Sequence, residues 1–272
     1  MSKQLTYRNF DDLCEKFTRK VYGGLKGDIR LAVIWRDLLA AYPAILESQP
    51  LRILDVGGGL GQFSIALAEL GHRVVYNDLS AEMLHAAQAA ASEKHLLDKI
   101  VWLQCPYQEL NKELNKEPNK EHNSDWQEGG FDLVLSHAVI EWLQSPEKLI
   151  PSLSRFLAPQ GILSLTFYNQ NALEYRNLIR GNFKLLESSF SAHPGSLTPG
   201  TPLLPEQITD WVEQSGLVVD SSSGIRVFHD YVTTQRGGHQ DADSVVEMEL
   251  RYSMREPFKW LGRYIHYICS KT

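Results

Sequence analysis

The segment Leu54-Asp55-Val56-Gly57-Gly58-Gly59-Leu60-Gly61 puts four glycines into five consecutive positions. Glycine is needed where a main chain turns tightly and lets a ligand approach backbone N–H groups. The loop follows a short apolar run, Arg52-Ile53-Leu54. In a parallel sheet such a loop lies at the carboxyl edge of the first strand, where nucleotide-like ligands bind. The alternative is a glycine-rich turn that holds nothing. The dinucleotide fingerprint G-x-G-x-x-G fails in both registers, because its third glycine would be Gln62 or Ser64. The spacing that fits is G-x-G-x-G, with Asp55, Gly57, Gly58 and Gly59 as the candidate contacts.

Three further positions could act with the loop. Asp78 ends the run Val74-Val75-Tyr76-Asn77-Asp78, about 20 residues past the glycines, where an acid can accept hydrogen bonds from ribose hydroxyls. A helix cap is its ordinary alternative. Tyr107 and Gln108 follow the third apolar run and could meet an adenine ring and its amine; a surface turn is the competing reading. His137 ends the fourth run, Phe131-Asp132-Leu133-Val134-Leu135-Ser136. With Glu141 it has the i, i+4 spacing of a metal pair. No third ligand is evident, so a metal is not expected.

These residues need a scaffold, and the pattern supplies one. Apolar runs at 52–57, 72–80, 100–105, 131–138 and 161–169 alternate with helical periodicity at 61–71, 80–95 and 139–159. Strand–helix alternation implies a mostly parallel sheet covered on both faces, a Rossmann-like α/β fold. Before it, residues 9–22 and 28–46 read as helical, broken at Gly23-Gly24, with Pro43 ending or kinking the second helix. After it, 171–186 reads as helix and 193–205, with four prolines, as loop. Residues 204–217 read as helix, 224–232 as a sixth strand, 243–255 as helix and 263–271 as an antiparallel seventh strand. The Asn-Lys-Glu tract at 110–122 reads as a solvated insertion. The expectation is one domain: a helical cap at 1–50, a ligand-binding core at 51–169, an insertion at 170–210, and the rest of the core at 211–272.

Bulk properties narrow the function. The chain has 272 residues, 43% hydrophobic and 22% charged, an ordinary globular balance. No apolar run reaches membrane-span length, and the N-terminus does not read as a secretory signal. Cys14, Cys105 and Cys269 are scattered and read as free thiols in a reducing cytoplasm. The net charge of −6 counts against broad nucleic-acid binding and leaves room for a local basic patch.

The loop Leu54–Gln62, the strand-end Asp78 and Ser136-His137-Ala138-Val139-Ile140-Glu141-Trp142 together resemble the class I S-adenosylmethionine-dependent methyltransferases. The resemblance tightens over Asn9–Phe17, Tyr22–Arg30, Ala32–Trp35, Leu163–Asn169, Gly224–Tyr231 and Gly262–Lys271. Across essentially the whole chain the sequence is similar to a bacterial family of tRNA 5-carboxymethoxyuridine methyltransferases. Members methylate the carboxylate of this nucleoside at the wobble position. The resemblance implies cofactor contacts from Arg30, from the backbone at Gly57 and Gly58, from Asp78 at the ribose, from Tyr107 and Gln108 at the adenine, and from His137 near the sulfonium. Tyr107 stands where the family suggests a small residue, and the Asn-Lys-Glu tract departs from the pattern.

A carboxylic acid is ionised at neutral pH, so such a nucleophile needs no general base. Catalysis then rests on alignment and exclusion of water. Arg226 is the first candidate to grip the substrate's anionic group, and Tyr168 the second. Their alternatives are pairing of Arg226 with Asp230 on one strand face, and simple packing of Tyr168. The implied partner is a tRNA anticodon stem-loop bearing 5-carboxymethoxyuridine, read by stacking and phosphate contacts. Arg176, Arg180, Lys184, Arg236, Arg255, Lys259 and Arg263 are the candidate cations. The rivals are a methyltransferase for a small carboxylate or quinone precursor, and a cofactor-holding protein without chemistry.

Overall fold

The computed structural model describes Asp11 and residues 23–116, 126–187 and 199–271. The expected helix at 9–22 (apart from Asp11), Cys14, residues 117–122 of the Asn-Lys-Glu tract and residues 193–198 of the proline loop lie outside them. The seven strands are β1 (Arg52–Val56), β2 (Arg73–Asp78), β3 (Ile100–Gln104), β4 (Phe131–His137), β5 (Leu157–Tyr168), β6 (Leu217–Ile225) and β7 (Tyr264–Lys271). They form one sheet in the order β3-β2-β1-β4-β5-β7-β6. From β3 to β5 all neighbours are parallel, and β7 runs antiparallel to both β5 and β6. The order turns back between β1 and β4, which opens a crevice at the carboxyl edge there.

Successive side chains of a strand point to opposite faces. Leu54, Val56, Val75, Val134, Leu163 and Leu165 therefore build one apolar layer, and Ile53, Val74, Tyr76, Leu133, Leu135 and Ile162 the other. The second layer is covered by α1 (Leu25–Ala41), α2 (Gln62–Glu69) and α3 (Ala81–Glu93). Helix α1 begins after Gly24 at φ +70°, and buries Ile29, Val33, Ile34 and Leu38 at helical spacing. Helix α3 is capped by Ser80, whose Oγ accepts from the Met83 N–H at 3.2 Å. The first layer is covered by α4 (Leu110–Leu114), α5 (Leu149–Ser154) and, beyond α6 (Gln170–Ile179) and α7 (Phe183–Glu187), by α8 (Pro205–Gln214).

Several expected elements are corrected. The long helix after β4 is instead two 3-10 turns, Ile140–Trp142 and Pro146–Lys148, followed by α5. Pro146 lacks the N–H needed to continue a helix. β5 starts at Leu157, inside that expected helix. The Asn-Lys-Glu tract opens as α4, because Leu110 and Leu114 are i, i+4 and both reach the core. The helix expected over 171–186 divides at Gly181 into α6 and α7, and Pro43 opens a 3-10 turn after α1.

The largest correction concerns the sixth strand. It runs over Leu217–Ile225 and stops before Arg226, which has φ +61°. Its serines hide it, since Ser223 is buried yet bonded to the Arg36 guanidinium at 3.0 Å. The chain after Ile225 turns around Glu249, buried on α9 (Ala242–Tyr252). Its carboxylate accepts from the N–H groups of Val227 (2.7 Å), Phe228 (3.2 Å) and His229 (2.8 Å). This anchor holds Arg226 in a left-handed backbone conformation. Replacing Glu249 by alanine leaves three donors, one buried and two part-buried, without this acceptor and should cost about 2–5 kcal/mol. Urea unfolding at 25 °C measures it, and an unshifted midpoint would remove Glu249 as the anchor.

Candidate active site

The glycine loop is fixed by its neighbours. The Asn77 carbonyl accepts from the N–H groups of Gly57 (2.8 Å) and Gly58 (3.0 Å). The Asn77 side chain donates to the Cys105 carbonyl at 2.8 Å, tying β2 to the end of β3. A side chain at Gly57, at φ +71°, would meet Val139 Cγ2 at 2.3 Å. One at Gly58 would strike the Tyr76 ring at 2.6 Å. The Tyr76 hydroxyl donates to the Gly59 carbonyl at 2.5 Å. Asp55 stands behind the loop, accepting from Ser64 Oγ at 2.6 Å, and burial pushes its carboxyl up to about 7.

The loop forms one wall of an open cleft with a cavity volume of about 120 Å³. Gly57, Gly59, Asp78, Tyr107, Gln108 and His137 all line it, as the sequence led us to expect. Gly58 and Asp55 lie behind the wall. Sequence reasoning missed the apolar lining from Leu79, Met83, Val139, Trp142 and Leu143, whose types give no chemical signal. Asp78 accepts from Gly59 N–H through Oδ2 and from Ser80 N–H through Oδ1, each at 2.9 Å. Each oxygen keeps a further lone pair, so the carboxylate can also accept from ribose hydroxyls. Burial raises its pKa, opposed by those backbone bonds.

The expected loop chemistry needs one adjustment. The N–H groups of Gly57, Gly58 and Gly59 are all spent inside the protein. The Gly58 and Gly59 carbonyls are engaged as well, accepting from the Gly61 N–H at 2.9 Å and from the Tyr76 hydroxyl, so the loop's offer to a ligand is the space left by absent side chains.

Beside the cleft lies a cluster of buried cations. Arg30, Arg226 and Arg263 are only 3%, 8% and 9% exposed. Arg30 and Arg226 stack on the Tyr264 ring at 4.4 and 5.7 Å, and Arg263 on the Tyr168 ring at 4.7 Å. Asp230 reaches Arg226 at 3.5 Å, Arg263 at 3.8 Å and Lys26 at 3.8 Å. None of these approaches is a well-formed hydrogen bond. Arg226 Nε and Arg263 Nη1 are buried, with no hydrogen-bond partner among the described residues. Burial draws the Arg226 pKa down, opposed by Asp230. Arg226 thus pairs with Asp230 across a turn, not along a strand. Tyr168 is fully buried, and its hydroxyl also has no hydrogen-bond partner. Burial lifts that hydroxyl to about 12.

Glu141 and His137 do not form the helical pair their spacing suggested, because His137 ends a strand. Among the described residues no group of three His, Cys, Asp or Glu side chains could hold a metal ion. Glu141 is 1% exposed, and neither carboxylate oxygen has a hydrogen-bond partner. Burial lifts its carboxyl to about 8, opposed by the charge of Arg30. Cys105 and Cys269 are buried free thiols, and burial raises both, Cys105 to about 11. No helix of the described residues is long and apolar enough to cross a membrane.

Comparison with known proteins gives the class. The family described as Methyltransferase domain matches residues 54–165. The magnesium protoporphyrin IX methyltransferase of Synechocystis PCC 6803, solved with bound S-adenosylhomocysteine, superposes with a TM-score of 0.60. It is 17% identical and covers 97% of this chain and 96% of its own, a likeness of fold. The tRNA 5-carboxymethoxyuridine methyltransferase of Escherichia coli K12 is 38% identical over 265 residues, 97% of this chain and 96% of the relative. A ubiquinone biosynthesis O-methyltransferase of Psychrobacter arcticus is 28% identical over 54% of each chain. Fold, loop and cleft define a class I methyltransferase whose cofactor is S-adenosylmethionine. Within that class the chain belongs to the tRNA 5-carboxymethoxyuridine methyltransferase family.

Two outcomes test the site. Asp78→Asn should weaken S-adenosylmethionine binding by about 1–3 kcal/mol in calorimetry, the range for lost charge-assisted bonds. Unchanged affinity would take Asp78 out of the ribose site. Glu141 binds its proton more tightly folded than unfolded, so its contribution to stability is lost as pH rises from about 4.5 to about 8. Glu141→Gln should therefore match the wild type in denaturant at pH 5 and exceed it at pH 8.5. An equal gap at both pH values would contradict the buried, raised carboxyl.

Proposed function

We propose that this methyltransferase esterifies the carboxylate of 5-carboxymethoxyuridine at the wobble position of a tRNA anticodon stem-loop, in the cytoplasm. The observation that carries the reading is the cluster of buried guanidiniums beside the cofactor cleft. Arg226, Arg263 and Lys26 share Asp230 at 3.5 Å or more, and among the described residues a buried nitrogen of Arg226 and one of Arg263 have no hydrogen-bond partner. Buried charge of one sign is costly without a partner, and a planar anion such as a carboxylate supplies one. The name of the E. coli relative, alike across nearly its whole length, supports the same substrate.

A small carboxylate or quinone precursor is the rival substrate. The quinone-pathway relative matches only about half of the chain. A second cavity, lined by Lys26, Arg176, Arg180, His229 and Asp230, adjoins the cluster and favours the larger partner. Cations there suit the phosphates flanking a target nucleotide. The remaining candidate cations support it less. Lys184 and Arg236 are exposed, Arg255 stacks on Tyr252 and Phe258, and Lys259 pairs with Glu256 at 2.8 Å.

When bound, S-adenosylmethionine supplies a methyl group on a sulfonium. Asp78 would hold its ribose, Tyr107 and Gln108 its adenine, and His137 and Arg30 its methionine end. The substrate carboxylate is already ionised, so no residue need take a proton. Opposite charges on the two reactants vanish in the product, and a dry pocket favours their loss. Arg226 should hold the non-attacking oxygen or a neighbouring phosphate. A cation on the attacking oxygen would stabilise the ground state more than the transition state. The Tyr168 hydroxyl, buried and without a hydrogen-bond partner among the described residues, is the second candidate donor.

Incubation with labelled cofactor and tRNA carrying the free acid, followed by nucleoside analysis, tests the activity directly. A labelled methyl ester is expected, and label only in small molecules would favour the rival. Arg226→Ala should lose most single-turnover methyl transfer, with cofactor affinity barely changed. Arg226→Lys should recover only part, because an ammonium lacks the planar fork. Turnover near wild type in Arg226→Ala would end its assignment. The wild-type rate should stay level from pH 6 to 8, and a steep rise would reveal a nucleophile that must first lose a proton.

A further inference from the structure

Past the turn that carries Arg226, the chain builds a cavity that methyl transfer does not use. It holds about 550 Å³, within the range of small-molecule sites. Phe228 and Tyr231 line it from the turn after β6, His239 from the 3-10 turn Gly237–Gln240, and Val245, Met248 and Tyr252 from α9. Four of these six side chains are aromatic rings, and all but Val245 are half-buried. Phe228 and His239 meet edge to face, with ring centroids 5.7 Å apart. The Tyr231 hydroxyl donates to the Leu261 carbonyl at 2.6 Å, and the Phe228 N–H is held by the Glu249 carboxylate at 3.2 Å. Rings placed in advance spare a ligand the cost of ordering them.

The aromatic cavity continues into a charged one. Val232 and His239 line it and also line the cavity of Lys26, Arg176, Arg180 and Asp230. That neighbour, about 190 Å³, sets three cations against one carboxylate. Asp230 in turn lies 3.5 Å from Arg226. The order along the protein is therefore guanidinium cluster, cationic cavity, aromatic cavity. A strand of RNA offers matching groups in the same order: the anionic target, a phosphate, and the base of the next nucleotide. A hydrophobic side chain of another protein would fill the rings and leave the cations unanswered.

We infer, building on the tRNA substrate proposed above, that the aromatic cavity receives the unstacked base of a nucleotide adjoining the wobble position, with its phosphate in the cationic cavity. Single-stranded RNA is gripped by stacking unpaired bases on aromatic side chains. Every base has a π face, so such a cavity accepts more than one base. The base gives a hold on the loop that does not depend on the carboxylate.

Fluorescence anisotropy in saturating S-adenosylhomocysteine tests this, using labelled anticodon stem-loops with either 5-carboxymethoxyuridine or plain uridine at the wobble position. Phe228→Ala should weaken binding of both about 5- to 100-fold, the range for one stacked base. An equal factor on the two shows that the grip on the carboxylate is untouched. An abasic site either just before or just after the wobble position should weaken the wild type by a similar factor. Phe228→Ala should lose little more on that stem-loop, because the two changes remove one contact. The slope of log affinity against log salt should be unchanged in Phe228→Ala and shallower by about 0.7 in Arg180→Ala. His239→Ala repeats the test from a separate turn, should Phe228→Ala fail to fold. S-adenosylhomocysteine affinity should match the wild type in each variant.

Unchanged stem-loop binding in a variant that keeps S-adenosylhomocysteine affinity would overturn the inference. So would full additivity with both abasic stem-loops, or a wild-type dimer that Phe228→Ala turns into a monomer. Equal wild-type affinity for the acid and the plain uridine, with the Phe228→Ala loss intact, would instead strike the carboxylate reading and leave the base cavity standing. A wild type that binds neither stem-loop would overturn both.

Discussion

Positive charge held out of water is the constraint around which the functional half of the molecule is arranged. Arg30, Arg226 and Arg263 lie against aromatic rings, and Arg226 and Arg263 share Asp230 at ion-pair distances. Such a cluster survives because Tyr264 and Tyr168 offer ring faces, and because β7 and the turn after β6 are pinned from outside. Glu249 gives three acceptor contacts to that turn, and Gly262 and Gly224 touch where no side chain would fit. Among the described residues Arg226 Nε and Arg263 Nη1 are left buried without a hydrogen-bond partner, and the proposed site for an anionic substrate rests on these two nitrogens.

The two carboxylates near the cluster behave differently for the same reason. Asp230 faces cations and is held low, even though burial pushes it up. Glu141 faces mostly apolar surroundings and is pushed up to about 8. Neither offers a general base within the cleft, which agrees with a nucleophile that arrives already ionised. The cofactor side is built on another principle. There the loop N–H groups are spent on Asn77 and Asp78, so the wall is rigid before any ligand comes.

Much of this was legible in the sequence, where residue type and periodicity coincide. The glycine loop, Asp78 and His137 are local signals, tied to strand ends that alternate apolar and small residues, and all proved to meet at one edge of the sheet. The parallel order followed from strand–helix alternation. What stayed hidden depends on contacts distant in sequence. Arg263 gives no sign in the sequence that it will share Asp230 with Arg226. Asp37 and His266 sit in an amphipathic helix and an alternating strand, 229 residues apart, and only packing reveals that they touch. Ser221–Ser223 disguised a strand as a loop, which carried the expected position of Arg226 onto a strand it does not occupy.

The central claim is that the protein recognises a negative charge on its substrate. Calorimetry with an anticodon stem-loop bearing the free carboxylate, and with the same stem-loop as its neutral methyl ester, tests it most directly. Both titrations are made in saturating S-adenosylhomocysteine, so that no transfer occurs. The account predicts that the acid binds at least about tenfold more tightly than the ester, the loss expected when one charged pairing disappears. Equal affinities would contradict it.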